Sequence, residues 1–244
     1  MHKTIRAVLA TCLLTAVSIP ALADGGGVSF TRNRMVYAEG ERAISLAVVN
    51  HGSMPYLIQA GVSAQPGKNE RAPFIVTPPL FRLDGNARNM MRIVGSGEGL
   101  PKDRESVFYF YASAIPGQAS APEDNAEGKE GAVGARLSIA MKTILKLFWR
   151  PKGLPVTIDQ AHGMMHFVRR GNDVVIRNPT PYYQSFAQLS FDGVAQDLNQ
   201  QVSMVAPMSE LVFPAGKAVS KVTWSVMTDY GGATKAVTQA VEPS

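Results

Sequence analysis

The sequence predicts two all-β sandwich domains in series. Short runs rich in Val, Ile, Phe and Tyr recur along the chain, separated by Gly, Pro, Asn and Asp. Where the runs are clear they alternate with period two, the spacing of a half-buried strand, and none shows a convincing helical period. A single Pro- and Gly-rich break, Pro151-Lys152-Gly153-Leu154-Pro155, splits the runs into two groups and reads as a linker between domains.

The strands before the break follow from these patterns. Val28–Tyr37 opens the set. In Ile44–Val49, Ile44, Leu46 and Val48 share one face. Met54–Ser63 follows, then Phe74–Leu83, where Pro78-Pro79 marks an edge or a bend. Met90–Val94 and Val107–Tyr111 come next, and Leu137–Phe148 closes the group. Seven short strands with turn residues between them suggest an antiparallel sandwich. After the break come Met164–Arg169, Asp173–Arg177, Ser185–Phe191, Leu211–Pro214, Val219–Thr228 and a weaker run at Ala236–Val241, a smaller all-β unit.

Residues 1–23 read as an export signal. His2, Lys3 and Arg6 precede an apolar run, Ala7–Ile19, too short to span a bilayer, and Pro20-Ala21-Leu22-Ala23 supplies small residues for cleavage. A lipoprotein site at Leu9-Ala10-Thr11-Cys12 fits poorly, because the apolar run before Cys12 is very short. Cys12 is the only cysteine, so the domains expected at 24–150 and 156–244, joined by 151–155, hold no disulfide. Losing Lys3 and Arg6 takes the 24 basic residues to 22 against 19 acidic, a net charge of about +3. No basic block points to nucleic acid, and no later segment is apolar enough for a membrane-embedded helix.

Residues 137–147 carry the strongest functional signal. Leu137, Ile139 and Met141 lie two apart and share a face in a strand. The stretch before them, 117–136, has no periodicity and holds Glu123, Asp124, Glu127 and Glu130; a loop of that length is usually functional or disordered. Natural edge strands are built to discourage pairing with another chain, whereas a row of large apolar side chains beside a loop invites it. The alternative, that these residues face their own core, is open at this level. Lys146 has the opposite parity to the three, so a plain strand puts it on the other face.

Six stretches, in order, give the chain a likeness to known proteins. They are Thr31-Arg32-Asn33-Arg34-Met35-Val36-Tyr37, Thr77-Pro78-Pro79-Leu80-Phe81-Arg82-Leu83, Asp103-Arg104-Glu105-Ser106-Val107-Phe108-Tyr109-Phe110, Lys146-Leu147-Phe148-Trp149-Arg150-Pro151, Asn178-Pro179-Thr180-Pro181-Tyr182-Tyr183 and Asp229-Tyr230-Gly231-Gly232. With them the sequence resembles the PapD-like periplasmic pilus chaperones over nearly all of its expected mature length. The resemblance implies two immunoglobulin-like β-sandwich domains in an L or boomerang arrangement. It also implies a non-enzymatic periplasmic protein that caps pilus or fimbrial subunits by donor-strand complementation and delivers them to an outer-membrane usher. By the same likeness, Arg34 and Lys146 anchor the subunit's C-terminal carboxylate. Leu137, Ile139 and Met141 are the donor residues, each worth roughly 1.5–3 kcal/mol if fully buried. Glu105, Arg150 and Asp229 form a charged cluster between the domains, while Asn178–Tyr183 and Tyr230-Gly231-Gly232 contribute turns and aromatic packing. The chain departs from the pattern in lacking the disulfides found in some members.

Other functions have thinner support. A structural pilus subunit or surface adhesin with immunoglobulin-like domains is the alternative, although a subunit would carry one incomplete sandwich rather than two complete ones. His162 and His166 are spaced for a metal site on a helix, but no Glu lies between them and no third ligand is near. Gly95-Ser96-Gly97-Glu98-Gly99 lacks the spacing of a phosphate loop. No cofactor, metal or catalytic residue is expected. A free chaperone with a sticky strand could also self-associate.

Overall fold

In a computed structural model, the structure describes residues 27–117 and 138–243. The expected export signal with Cys12, the 117–136 loop apart from Gly117, and Leu137 lie outside the described residues. The fold is nearly all-β: two sandwiches, each closed over its own apolar core.

In the first sandwich, one sheet has the order β1 (Val28–Phe30), β3 (Ile44–Asn50), β7 (Arg88–Gly95), β5 (Phe74–Thr77). The facing sheet runs β2 (Arg34–Ala38), β9 (Met141–Arg150), β8 (Ser106–Pro116), β4 (Tyr56–Ser63), β6 (Leu80–Leu83). Alternation decides which residues turn inward. Met35 and Tyr37 of β2, Phe108 and Phe110 of β8, and Leu147 and Trp149 of β9 all enter the core, while Val36, Tyr109 and Phe148 between them turn to the outer face. Tyr37 stacks on Trp149 with ring centroids 5.6 Å apart, and its single hydroxyl proton is shared between the carbonyls of Glu41 and Gly95, at 2.9 and 3.0 Å. Gly97, at φ +64°, lies flat against the Trp149 ring where a Cβ would overlap it.

Two runs that read as single strands are each split between the sheets. Val28–Tyr37 becomes β1 and β2, and Phe74–Leu83 breaks at Pro78-Pro79 into β5 and β6. Proline has no N–H to donate, so the ladder stops there and the chain crosses over. The first crossing also corrects the purely antiparallel expectation. Having changed sheets between β1 and β2, the chain runs parallel to β9, with Arg34 opposite Lys146 and Ala38 opposite Arg150.

The second sandwich packs β10 (His166–Arg170), β11 (Asp173–Asn178) and β15 (Ser209–Pro214) against β12 (Gln184–Phe191), β13 (Val194–Ala195), β14 (Met204–Val205), β16 (Lys221–Val226) and β17 (Val237–Ala240). Phe167, Ile176, Phe213 and Trp224 fill its core. One short helix, α1 (Ile158–Ala161), precedes β10. Its signal was in the sequence: Thr157 and Gln160 form a reciprocal capping box. His162 caps this helix, whereas His166 begins β10 and bonds Glu242 at 3.2 Å. The two histidines therefore do not share a helical face.

Candidate functional site: the cleft and the open edge of β9

The site begins with the two faces of β9. Odd-numbered residues turn inward: Leu147 and Trp149 are in the core, and Leu145 packs against it. Toward the amino-terminal end the same face leaves the core. Ile139, just before β9, is 64% exposed and Met141 is 66% exposed. They border a small apolar hollow lined by Val28, Phe30, Tyr56, Ala112 and Ala114. The reading that these side chains fill their own domain's core therefore fails for Ile139 and Met141.

Pairing of β9 is lopsided in the same place. Along one edge it bonds β8 from Met141 to Trp149, but along the other it meets β2 only from Lys146 to Arg150. From Met141 to Leu145, no described strand covers that second edge. Exposed backbone donors and acceptors on an unpaired edge are a template for another strand.

Even-numbered residues of β9 face outward into the cleft between the sandwiches. Lys146 is the partner of Arg34 on β2 and of Tyr109 on β8, so the three share one row across three strands. Parity places Lys146 and the exposed apolar residues on opposite faces of one strand. The Arg34 guanidinium lies 4.5 Å above the Phe148 ring and donates from Nη1 to the Met227 carbonyl of the second sandwich at 3.0 Å. Its buried Nε has no partner among the described residues. Burial pulls the Arg34 pKa down from its usual value, against the pull of Asp229 and Glu105. The Lys146 pKa is lowered too, first by burial and then by Arg34. Two cations thus stand side by side in a partly desolvated place.

Next to them, Arg150 is clamped by two carboxylates. Its Nε donates to Glu105 Oε1 at 2.7 Å, and Nη1 and Nη2 donate to the two Asp229 oxygens at 2.6 and 2.8 Å. Glu105 Oε2 accepts from the Tyr183 N–H at 2.9 Å. The clamp therefore joins β8 and β9 of the first sandwich to the Tyr183 backbone and the Asp229 loop of the second. Burial would lower the Arg150 pKa, but the two carboxylates raise it well above its usual value. Burial would raise Asp229, yet its bonds and proximity to Arg150 hold it below the usual carboxylate range. Burial also acts on Glu105, and there it outweighs Arg150 and pushes the pKa up.

The remaining matched stretches are structural, with one exception. Asn178 is buried, donates to the carbonyls of Tyr182 and Ala206, and accepts from the Thr180 hydroxyl. Tyr182 is covered by Arg150 and donates its hydroxyl to the Val156 carbonyl. Tyr183 packs on Phe148 at 5.7 Å. Tyr230, expected to pack, is instead 98% exposed, while the neighbouring Gly231, at φ +84°, seats its backbone against Asn33. Sequence reasoning missed Phe148, Tyr183 and the Met227 carbonyl as parts of the cleft. Only the outward parity of Phe148 hinted at one of them.

Comparison with known proteins agrees over most of the chain. Residues 27–155 match the family described as pili and flagellar-assembly chaperone, PapD N-terminal domain, and residues 160–238 match the pili assembly chaperone PapD, C-terminal domain. The probable fimbrial chaperone protein ElfD of Escherichia coli K12 is 36% identical over 235 residues, 95% of this chain and 94% of that protein. The chaperone protein FimC of an Escherichia coli O6:H1 strain is 33% identical over 237 residues, 96% of this chain and 92% of that protein. Among solved structures, the Escherichia coli chaperone DraB superposes with a TM-score of 0.75 at 31% identity, over 89% of this chain and 97% of that one. The Salmonella enterica SafA pilin in complex with the SafB chaperone gives a TM-score of 0.75 at 29% identity, over 88% of this chain and 96% of the matched chain.

Proposed function

We propose that this chain, which belongs to the PapD-like family of pilus-assembly chaperones, works in the periplasm by lending the open edge of β9 to incomplete pilus subunits. Its family is non-catalytic. Strand donation, delivery to an outer-membrane usher and the periplasmic location extend that membership to this chain. In this reading residues 1–23 are the export signal, 24–150 and 156–244 the two domains, and 151–155 their linker. Among the described residues, no helix is long and apolar enough to cross a membrane.

The observation that carries the reading is where β2 starts. It begins at Arg34, opposite Lys146, and leaves the edge of β9 vacant on the amino-terminal side of that rung. A guest strand in the vacancy lies in line with β2. If it runs parallel to β9, its C-terminal carboxylate arrives at Arg34 and Lys146. If it runs antiparallel, that carboxylate points away from the two cations and leaves them unmatched. Charge therefore selects the parallel orientation. The nearby charges also favour one anion: Arg150 with Glu105 and Asp229 leaves one negative charge, against two positive from Arg34 and Lys146. Charge-assisted bonds in a partly buried cleft are stronger than neutral ones, so one carboxylate both balances and locks the site.

The anchor also sets register. With the guest's terminus held at the Lys146 rung, Ile139 and Met141, and Leu137 by its parity, face the guest's unfinished core. A one-residue slip would present Arg136, Ser138 and Ala140 instead. Two free chaperones could pair through the same edge. A structural-subunit reading finds no support in two sandwiches that each close a core of their own.

The test is capture of a co-expressed pilus subunit by Arg34→Ala and Lys146→Ala variants. Both should remain folded, by circular dichroism and thermal unfolding, and lose the subunit in a pull-down. Retention at the wild-type level by both variants overturns the anchor.

A further inference from the structure

We propose that Tyr109 is a third donor to the guest carboxylate, a positioning residue contributed by β8; the inference rests on the anchor proposed above. The row across the sheet carries it. Lys146 has two direct cross-strand partners, Arg34 on one side and Tyr109 on the other, and all three side chains stand on the cleft face. Neighbours on one face of adjacent strands are within contact distance. A tyrosine and a lysine on such a rung reach similar heights above the sheet, which brings the phenol oxygen to the level of the ammonium.

Neighbouring polar groups of that face sit in other surroundings. On β8, the next outward residue, Tyr111, lies under the Lys142 ammonium at 4.6 Å, and its hydroxyl abuts Gly61. One strand further, Ser63 opposite Tyr109 uses its hydroxyl to accept from the Gln65 and Glu70 N–H groups. The Tyr109 hydroxyl makes no hydrogen bond among the described residues. Tyr183, reaching over from the second sandwich, closes the far side of the same space through its contact with Phe148. Burial raises the Tyr109 pKa, so the phenol keeps its proton and can donate.

The chemistry calls for such a group. A carboxylate presents about four lone-pair positions. Arg34 already spends Nη1 on the Met227 carbonyl, and Lys146 approaches from one side as a single point of charge. A neutral donor on the far side of Lys146 adds a bond without adding repulsion to a site that already holds two cations. It also fixes the angle at which the terminus enters, which the Lys146 ammonium, a point charge on a flexible stem, does poorly.

A pair of synthetic peptides tests this on the intact protein. Both are soluble, strand-length and built of alternating threonine and apolar residues; one ends in a free carboxylate and the other in an amide. The readout is the ratio of the two Kd values by calorimetry. In the wild type the acid binds tighter than the amide, and Arg34→Ala brings the ratio close to one. Tyr109→Phe, which deletes only the hydroxyl, should reduce the ratio by about tenfold, the worth of one hydrogen bond to a charged group. A purely structural role for Tyr109 would weaken both peptides alike and leave the ratio unchanged. That result, with Arg34→Ala still collapsing the ratio, overturns the tyrosine's role and leaves the anchor standing. A wild-type ratio of one overturns both.

Discussion

Replacing Ile139 and Met141 together by serine isolates the donor strand from everything else the protein does. In the free chaperone the two side chains are 64% and 66% exposed, so about two thirds of each remains to be buried by a guest. Fully burying a side chain of this size is worth roughly 1.5–3 kcal/mol, so the unburied share is about 1–2 kcal/mol each, or about 2–4 kcal/mol for the pair. That corresponds to a loss of about thirtyfold to about a thousandfold in subunit affinity. The free protein should barely notice, because exposed substitutions away from special features usually change stability by about 0.5 kcal/mol or less. Calorimetric titration of a purified subunit by the variant measures the first effect, and chemical denaturation of the variant alone measures the second. Unchanged affinity would refute the idea that these side chains enter a guest. A stability loss of several kcal/mol would show that they serve the chaperone's own core instead.

Two further predictions concern the clamp between the sandwiches. Arg150→Ala leaves Glu105, which is 3% exposed, and Asp229 without their shared cation; breaking a buried pair in this way costs about 3–5 kcal/mol. Denaturation should show that loss, and scattering should show a wider spread of angles between the sandwiches. The clamp should also weaken in acid. Because Asp229 is held below its ordinary pKa, its contribution is fully present above about pH 4 and is lost as the pH falls through its folded value. Glu105, pushed upward by burial, acts with the opposite sign and does not add to that loss. A thermal midpoint that falls as the pH drops below about 4 in the wild type, with a shallower fall in Asp229→Asn, fits this; parallel curves would not.

Most of the fold was legible because its signals are local. Alternation with period two announces a strand and says which residues share a face, as in Ile44–Val49 and in the Met141–Phe148 part of the run expected from Leu137. Turn residues and the Pro151–Pro155 break mark where elements stop. What misread was also local: a run of the right composition, such as Val28–Tyr37, does not reveal that the chain changes sheets partway. The four-residue helix α1 was missed because it is too short to show a period, although its capping box was in view. Tyr230 misread for another reason. An aromatic residue beside glycines suggests packing, and only the tertiary structure shows the ring turned to solvent.

By itself, then, the sequence determined two all-β units, the alternating apolar row ahead of Lys146, and the opposite parity of that lysine. Tertiary structure decided which strands became neighbours. It brought Arg34 opposite Lys146 and Tyr109 beside it, left one edge of β9 without a described partner from Met141 to Leu145, and drew Asp229 back onto Arg150. The physical reason is that a strand's faces follow from its own backbone geometry. Its partners follow from how whole sheets bury their apolar sides, a choice made between residues far apart in the chain.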